Sequence, residues 1–158
     1  MISYSTEQTI KAGEKFAKKL KGGEVILLIG DLGSGKTTFV KGVAQGLSLK
    51  KNITSPTFVL MKVYKIKKLR SKIKELVHID TYRGLSFSDL RGIGALERFL
   101  DKESVCLVEW GDALEKYLKE KNIFYKKIEF KNLDINKREI TIKKYGSSTR
   151  GKGEKQEK

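Results

Sequence analysis

The sequence predicts an α/β fold of three layers, in which helices cover a mainly parallel sheet that carries an antiparallel edge hairpin. Two aliphatic runs, EVILLI at 24–29 and SVCLVEW at 104–110, have the composition of strands buried on both faces. A glycine-rich loop and an amphipathic segment follow the first run, which gives the order strand, loop, helix. Residues 124–145 alternate partially around 133–136 and indicate a late hairpin. Strands that alternate with helices before such a hairpin favour this class of fold.

The other elements follow in chain order. The segment 5–23 predicts a first helix, with Ser5 and Gln8 as a capping box and a stop at the glycine pair that ends it. The segment 36–47 predicts a second helix that closes near Gly46. The later segments predict two strands at 57–66 and 72–82, a loop passing into a short helix at 83–101, and a helix at 111–121.

The chain length suits one folded unit. Of the 158 residues, we expect 1–145 to form a single domain and the basic tail 146–158 to be disordered by its composition. The lone cysteine, Cys106, lies in an aliphatic run and suits a reducing compartment. No apolar run approaches the roughly 20 residues that span a bilayer, and no secretory leader pattern opens the chain, so we expect a cytoplasmic protein without membrane contact.

The chain is strongly basic, with a formal net charge of +15. Part of the excess lies in one run at 62–74, where no acid interrupts seven cations: Lys62, Lys65, Lys67, Lys68, Arg70, Lys72 and Lys74. Such a run most often only solvates an exposed hairpin. The alternative is contact with a polyanion such as RNA.

The loop GDLGSGKTTF at 30–39 has the spacing of a phosphate-binding loop, Gly-x4-Gly-Lys-Thr. Glycines allow the backbone to turn its N–H groups toward phosphate oxygens, and the following helix adds its positive end. Lys36 supplies a charge for the β- and γ-phosphates, and the Thr37 hydroxyl suits Mg²⁺. The sequence therefore predicts a P-loop NTPase-like domain that binds a nucleoside triphosphate with Mg²⁺ through Gly33, Ser34, Gly35, Lys36, Thr37 and Thr38.

An acid is needed beside the metal, and two strand ends supply candidates. Glu109 ends the run 104–109 and is the preferred metal-site acid, directly or through water. Asp80 ends the run 75–80 and is a candidate either to orient a water or to shape the γ-phosphate end of the site. A surface acid at a strand end is the competing interpretation of each.

Two further features bear on the site. Pro56, the only proline, stands between Ser55 and Thr57, which suggests either a switch-like loop that senses the γ-phosphate or a plain turn before a strand. His78, the only histidine, has no partner at metal-ligand spacing, so a metal role is not expected.

With these residues in place, the chain resembles the TsaE family, also called YjeE, over roughly residues 5–145. The resemblance is carried by five segments in matching order: GDLGSGKTTF at 30–39, SPTF at 55–58, HIDTYR at 78–83, IGALE at 93–97 and LVEW at 107–110. The phosphate loop alone is shared with many families, whereas the other segments together are far more specific. The basic segment 65–75 and the residues Gly94-Ala95-Leu96 depart from the family pattern.

The resemblance implies a small ATPase of tRNA threonylcarbamoyladenosine synthesis that acts with TsaB and TsaD and meets tRNA through that complex. In the family the nucleotide cycle supports turnover of the complex, which itself modifies adenosine 37 of tRNAs reading codons that begin with A. Lys36, Thr37 and Glu109 match the nucleotide and metal positions, and Thr6 lies where family members approach the adenine. The resemblance further implies switch or partner roles for Ser55, Thr57, Tyr82, Arg83 and Trp110.

From these positions we expect Lys36, Asp80 and Glu109 to be the catalytic set. No arginine is clearly placed to act as an arginine finger, although Arg83 is a candidate. ATP hydrolysis should therefore be slow in the isolated chain and faster in the complex. Two alternatives remain open: a P-loop kinase of small molecules, and a basic RNA-binding module that merely carries nucleotide.

Overall fold

The computed structural model describes most of the chain, and its elements alternate as the sequence predicts. The described residues are 1–56, 59–68, 71–82, 84 and 86–146. The strands among them are β1 (Ile2–Ser3), β2 (Glu24–Ile29), β3 (Met61–Lys65), β4 (Glu75–Asp80), β5 (Ser104–Glu109), β6 (Tyr125–Asn132) and β7 (Arg138–Tyr145). The helices are α1 (Thr6–Ala17), α2 (Lys36–Gly46), α3 (Phe87–Gly92), α4 (Ala95–Leu100) and α5 (Glu115–Glu120), with a 3₁₀ turn at Gly111–Leu114.

The strands form one sheet in the order β1-β7-β6-β2-β5-β4-β3. The four central strands, β6, β2, β5 and β4, are parallel. The predicted antiparallel hairpin of β6 and β7 adds one edge, which β1 extends. The opposite edge is antiparallel as well, because β3 pairs with β4. The predicted fold class is therefore confirmed, with an antiparallel strand at both edges.

Alternate side chains of the central strands enter two separate apolar cores, which makes the three layers. On one face Ile26 and Leu28 of β2 pack with Phe39 of α2 in a cluster that includes residues of α1. On the other face Val25 and Leu27 join a cluster that includes residues of α4 and α5. Near-continuous burial of both faces explains why β2 and β5 are aliphatic throughout.

Helices α1 and α2 approach closely because each presents a glycine to the other. A β-carbon on Gly13 would overlap the Phe39 carbonyl oxygen and lie 2.8 Å from the Val43 nitrogen. A β-carbon on Gly42 would likewise lie 2.8 Å from the Ile10 carbonyl carbon. This contact holds α1 against the helix that follows the phosphate loop.

Several local predictions need correction. Ser5 accepts a hydrogen bond from the Gln8 nitrogen at 3.2 Å, but the Gln8 side chain accepts from the Tyr4 nitrogen at 2.9 Å, so only half of the capping box forms. Of the strand predicted at 57–66, residues 57 and 58 lie outside the described residues; the strand in the structure begins at Met61, directly after Leu60 with its left-handed φ of 65°. The short helix predicted within 83–101 is two helices, separated at Gly94, which has a φ of 73°.

The late hairpin is confirmed, with residues 133–137 as its connection. The predicted tail, apart from Gly146, lies outside the described residues and stays a prediction. In the described part of the chain, no helix combines the length and the apolar character that crossing a membrane requires.

Candidate nucleotide-binding site

The glycine loop joins the end of β2 to the start of α2 at the carboxyl edge of the parallel strands. Gly33 and Gly35 have φ values of 75° and 101°, which residues with a β-carbon rarely adopt. Gly35 is the N-cap of α2 and provides no side-chain cap. The first N–H groups of α2 therefore remain suited to an anionic ligand, and the helix dipole favours one there.

Lys36 is buried inside the loop that precedes it, with 4% of its surface exposed. Its Nζ atom donates to the carbonyl oxygens of Gly30 at 2.7 Å and Asp31 at 2.9 Å. An ammonium group has three donors, so these bonds fix its position and leave one donor for a ligand. Burial lowers the pKa of Lys36, while the nearby carboxylates of Glu109 and Asp80 oppose that shift.

Glu109 is linked to the first turn of α2. Its Oε1 atom accepts hydrogen bonds from the Thr37 hydroxyl at 2.7 Å and from His78 Nε2 at 2.8 Å. A carboxylate oxygen without a proton only accepts, so the shared proton of this bond lies on Nε2. The Thr37 hydroxyl, having donated its proton, keeps lone pairs that a cation can use. His78, for which the sequence predicts no metal role, thus holds the acid next to the loop.

Asp80 lies beside Glu109, because these two residues pair in register at the ends of β4 and β5. Its Oδ2 atom accepts from the Ser55 hydroxyl at 2.8 Å, and its Oδ1 atom accepts from the Tyr82 nitrogen at 2.9 Å. The Ser55 bond ties the loop at Pro56 to a strand end of the site. Asp80 is only 4% exposed, so the surface-acid interpretation does not fit its position.

Trp110 covers the lysine. The centroid of its ring lies 4.0 Å from Lys36 Nζ, within the range of a cation–π contact. The Trp110 backbone has a left-handed φ of 59°, which is uncommon for an aromatic residue, and the Thr81 hydroxyl donates to the Trp110 carbonyl oxygen at 2.7 Å. The half-exposed Tyr82 ring packs against Trp110 at an angle of 50°, with centroids 5.0 Å apart.

These side chains surround a cavity of about 460 Å³. Its lining includes most of the residues that the sequence predicts for the site: Thr6, Gly33, Gly35, Lys36, Thr37, Thr38, Ser55, Asp80, Tyr82, Glu109 and Trp110. Ser34 is not in the lining; its hydroxyl is buried and has no hydrogen-bond partner among the described residues. Thr57 and Arg83 lie outside the described residues, so their predicted roles stay predictions.

The sequence analysis missed two residues of the lining, Leu32 and Arg138. Arg138 begins β7 two residues before the buried Ile140, so both side chains belong to the same face of that strand. The sequence did contain a signal for Arg138, because a cation at an inward-facing position of an alternating strand indicates a buried charge.

The oxygen donors of the site suit Mg²⁺. Within the described parts of the chain, no three acidic, histidine or cysteine side chains cluster as a dedicated metal cage. Magnesium usually takes only one or two protein oxygen ligands and completes its shell with phosphates and water. The Thr37 hydroxyl and the Glu109 carboxylate offer such a pair of oxygen groups side by side.

The order of strand, glycine loop and helix at this edge of the sheet puts the molecule in the P-loop NTPase-like class of α/β proteins. A family model agrees and is more specific: residues 3–140 match TsaE, described as threonylcarbamoyl adenosine biosynthesis protein TsaE. The chain belongs to the TsaE family, as the resemblance of its motifs indicates.

Individual relatives span nearly the whole chain. The tRNA threonylcarbamoyladenosine biosynthesis protein TsaE of Aquifex aeolicus is 40% identical over 144 residues, which cover 90% of this chain and 93% of that protein. The protein of the same name from Treponema pallidum is 38% identical over 141 residues, covering 89% and 97%. The crystal structure of Bacillus subtilis YdiB is 33% identical, with a TM-score of 0.66 over 90% of this chain and 82% of that one.

Proposed function

We propose that the chain is an ATPase of tRNA threonylcarbamoyladenosine biosynthesis, which binds Mg-ATP at the glycine loop and acts with TsaB and TsaD in the cytoplasm. The observation that carries the proposal is the meeting of Lys36, Thr37 and Glu109 at the start of α2, inside one cavity. The names of the relatives support the pathway. In this proposal the chain supports turnover of the complex that modifies adenosine 37, and the complex makes the contact with tRNA.

In this proposal, different groups of the chain bind different parts of the triphosphate. The N–H groups of residues 33–38 surround the β-phosphate, and Lys36 uses its remaining donor toward the β- and γ-phosphates. Thr38 and Thr6 border the same cavity and are proposed to face the rest of the nucleotide.

Thr37 and Glu109 are the proposed ligands of Mg²⁺. When bound, Mg²⁺ neutralises charge on the phosphate oxygens and fixes the direction of the leaving group. The bond from His78 keeps Glu109 oriented toward Thr37, which restricts the carboxylate before ligand arrives. Hydrogen bonds that reach a metal ligand from behind keep it in position in this way.

Asp80 is proposed to position the attacking water. Ser55 and the Tyr82 backbone fix its two oxygens, so the carboxylate has a defined direction at the strand end. Phosphoryl transfer depends mainly on such positioning and on charge stabilisation. A further cation is needed for fast turnover, and we propose that it comes from Arg83 or from the partner complex, where it is worth about 10³–10⁵ in rate.

The test is an ATPase assay of the purified chain alone and with TsaB, TsaD and tRNA. We expect slow hydrolysis alone, faster hydrolysis in the assembly, and loss of both in Lys36→Met. The matched control is Lys15→Met, which removes an exposed lysine from α1. Equal rates of ATP hydrolysis with and without TsaB, TsaD and tRNA would contradict the proposal that the complex stimulates the chain. Transfer of ³²P to a small acceptor, in place of release as phosphate, would favour a kinase.

A further inference from the structure

A second cavity lies at the amino edge of the parallel strands, at the opposite end of the sheet from the glycine loop. Its volume is about 810 Å³. Three connections line it: the one between α1 and β2, the one between β3 and β4, and the one between α4 and β5. Each connection contributes one lysine, namely Lys21, Lys72 and Lys102. All three lysines are exposed, so this basic cavity presents three cations to solvent.

Backbone contacts join the three connections to one another. A β-carbon on Gly22, whose φ is 97°, would overlap the Lys102 carbonyl oxygen, so the first connection lies directly against the third. The Lys74 nitrogen donates to the Glu103 carbonyl oxygen at 2.7 Å, which ties the second connection to the third. The three lysines therefore stand on one joined surface and not on independent loops.

None of the three lysines forms an ion pair with an acid among the described residues. Glu24, close to Lys21 in sequence, is already occupied: its carboxylate accepts from the Lys21 and Gly22 nitrogens at 2.9 and 2.8 Å and pairs with Lys126. The lining of the cavity contains one acid, Glu103. Most of the described ion pairs lie instead on α5 and the β6–β7 hairpin. A lysine that no protein acid neutralises is available to neutralise a phosphate and to release that phosphate's counterion.

The residue types of the lining indicate contact with a phosphate backbone and not with bases. A lysine ammonium group is a compact charge that suits phosphate oxygens, and contacts of this kind position a nucleic acid without reading its sequence. No aromatic ring lines the cavity, whereas proteins that hold single strands stack the bases on aromatic side chains. An RNA duplex keeps its bases stacked inside and is recognised mostly through its shape and its backbone.

We propose that the basic cavity binds the phosphate backbone of a duplex RNA stem directly, with Lys21, Lys72 and Lys102 each neutralising one phosphate. The inference goes beyond the proposed function, in which the partner complex makes the contact with tRNA. Only the choice of RNA rests on that function, since it brings the chain to a tRNA. Because the cavity and the glycine loop lie at opposite edges of the parallel strands, the chain can hold RNA and nucleotide at the same time.

Fluorescence anisotropy of the full chain with a labelled RNA duplex of about 20 base pairs tests the assignment, without nucleotide or partner proteins. We expect the wild type to bind saturably, with an affinity that falls steeply as salt is added. The variant that combines Lys21→Gln, Lys72→Gln and Lys102→Gln should bind about tenfold or more weakly at low salt. The slope of its log K against log[salt] should be shallower by about three, one for each phosphate that is no longer neutralised.

The matched control makes the same change in net charge at exposed lysines of α1, α5 and β6, namely Lys11, Lys116 and Lys131. This control should bind the duplex nearly as well as the wild type. A wild type that does not bind the duplex, or an equal loss in the control, overturns the assignment. Displacement of the duplex by polyglutamate as readily as by unlabelled RNA would also overturn it, because the surface would then suit an acidic protein equally well.

Two further measurements keep the test decisive. If the triple variant does not fold, the three single Lys→Gln variants replace it; each should lower the slope by about one, and unchanged slopes in all three overturn the assignment. Calorimetry with Mg-ATP on the same proteins separates the two proposals. A wild type that binds the duplex but no ATP would end the proposed function and leave the RNA surface in place, whereas one that binds ATP but no duplex would do the reverse.

Discussion

At the scale of single residues, the site depends on hydrogen bonds that fix charged side chains before any ligand is present. Lys36 is held by two loop carbonyls, and Glu109 is held by Thr37 and His78. Side chains that are already oriented lose little freedom when a ligand binds. The residue whose contribution can be isolated most cleanly is Thr37, because valine has nearly its shape but lacks the hydroxyl.

Thr37→Val should weaken Mg-ATP binding by about tenfold or more, since the proposed metal ligand and its charge-assisted hydrogen bond disappear together. In EDTA the difference from the wild type should nearly vanish. Trp110 is the only tryptophan in the sequence and covers Lys36, so its fluorescence reports binding directly. Thr37→Ser keeps the hydroxyl and serves as the control. If Thr37→Val lost the same factor in ATP affinity with and without magnesium, Thr37 would not be a magnesium ligand.

Cys106 gives a prediction about pH. Burial raises the pKa of this thiol from 9.0 to about 12. Between these values the unfolded chain has lost the proton and the folded chain keeps it, so the thiol's contribution to stability falls as the pH rises. Urea unfolding of the wild type and of Cys106→Ala measures this contribution. Relative to Cys106→Ala, the free energy of unfolding of the wild type should fall by about 1.4 kcal/mol between pH 8 and pH 10. A difference that stays constant would show that the thiol ionises as easily in the folded protein.

At the scale of elements, the contact between α1 and α2 sets the position of the site. Helix α2 carries Lys36 and Thr37 in its first turn, and α1 carries Thr6, which lines the cavity, and Thr9, which lies beside Arg138. The two helices meet where Gly13 and Gly42 leave no room for a β-carbon. A change at this interface should therefore alter both stability and nucleotide affinity.

Gly13→Ala is predicted to destabilise the protein by about 1–3 kcal/mol, because overpacking outweighs the gain of up to ~1 kcal/mol that alanine normally brings to a helix. The control is Gly92→Ala in α3, where an added β-carbon meets nothing within 4 Å. That variant should be neutral or slightly stabilised. Thermal unfolding measures both, and a Gly13→Ala protein as stable as the wild type would mean that the helices are free to separate.

The elements also show how far sequence reasoning reaches. Local signals predicted β2, the glycine loop and α2, because one short segment contains both the strand pattern and the phosphate motif. Glu109 and Asp80 were predictable from aliphatic runs that end in an acid. The bond between His78 and Glu109 was not, since it depends on the pairing of β4 with β5. Arg138 was missed because the hairpin that presents it follows the glycine loop by about a hundred residues, and only the sheet order brings them together.

At the scale of the whole molecule, the basic connector between β3 and β4 and the nucleotide site lie at opposite ends of the β4 strand. The connector enters β4 at Glu75, whereas the site lies at the other end of that strand, at Asp80. Six residues of strand span about 20 Å, which exceeds the Debye length of about 8 Å in physiological salt. The exposed lysines of the connector can therefore meet a polyanion without disturbing bound nucleotide.

Replacing Lys65, Lys67 and Lys68 by glutamate should weaken association with the tRNA-loaded TsaB and TsaD complex. The slope of log K for that association against log[salt] should become shallower by roughly one for each phosphate that the variant no longer neutralises, while ATP affinity stays unchanged. The control reverses three exposed lysines in and directly after α1, Lys11, Lys15 and Lys18, for the same change in net charge. Titrations across a salt series measure the effect. An equal weakening in the control would mean that net charge, and not this surface, governs association.

Isothermal titration calorimetry of the wild type and Lys36→Met is the most direct test of the claim that the glycine loop binds Mg-ATP. The expected result is saturable binding of one Mg-ATP per chain, abolished in Lys36→Met while the fold survives. A wild type that releases no heat with Mg-ATP, or a Lys36→Met protein that binds it equally well, would contradict the assignment of this loop.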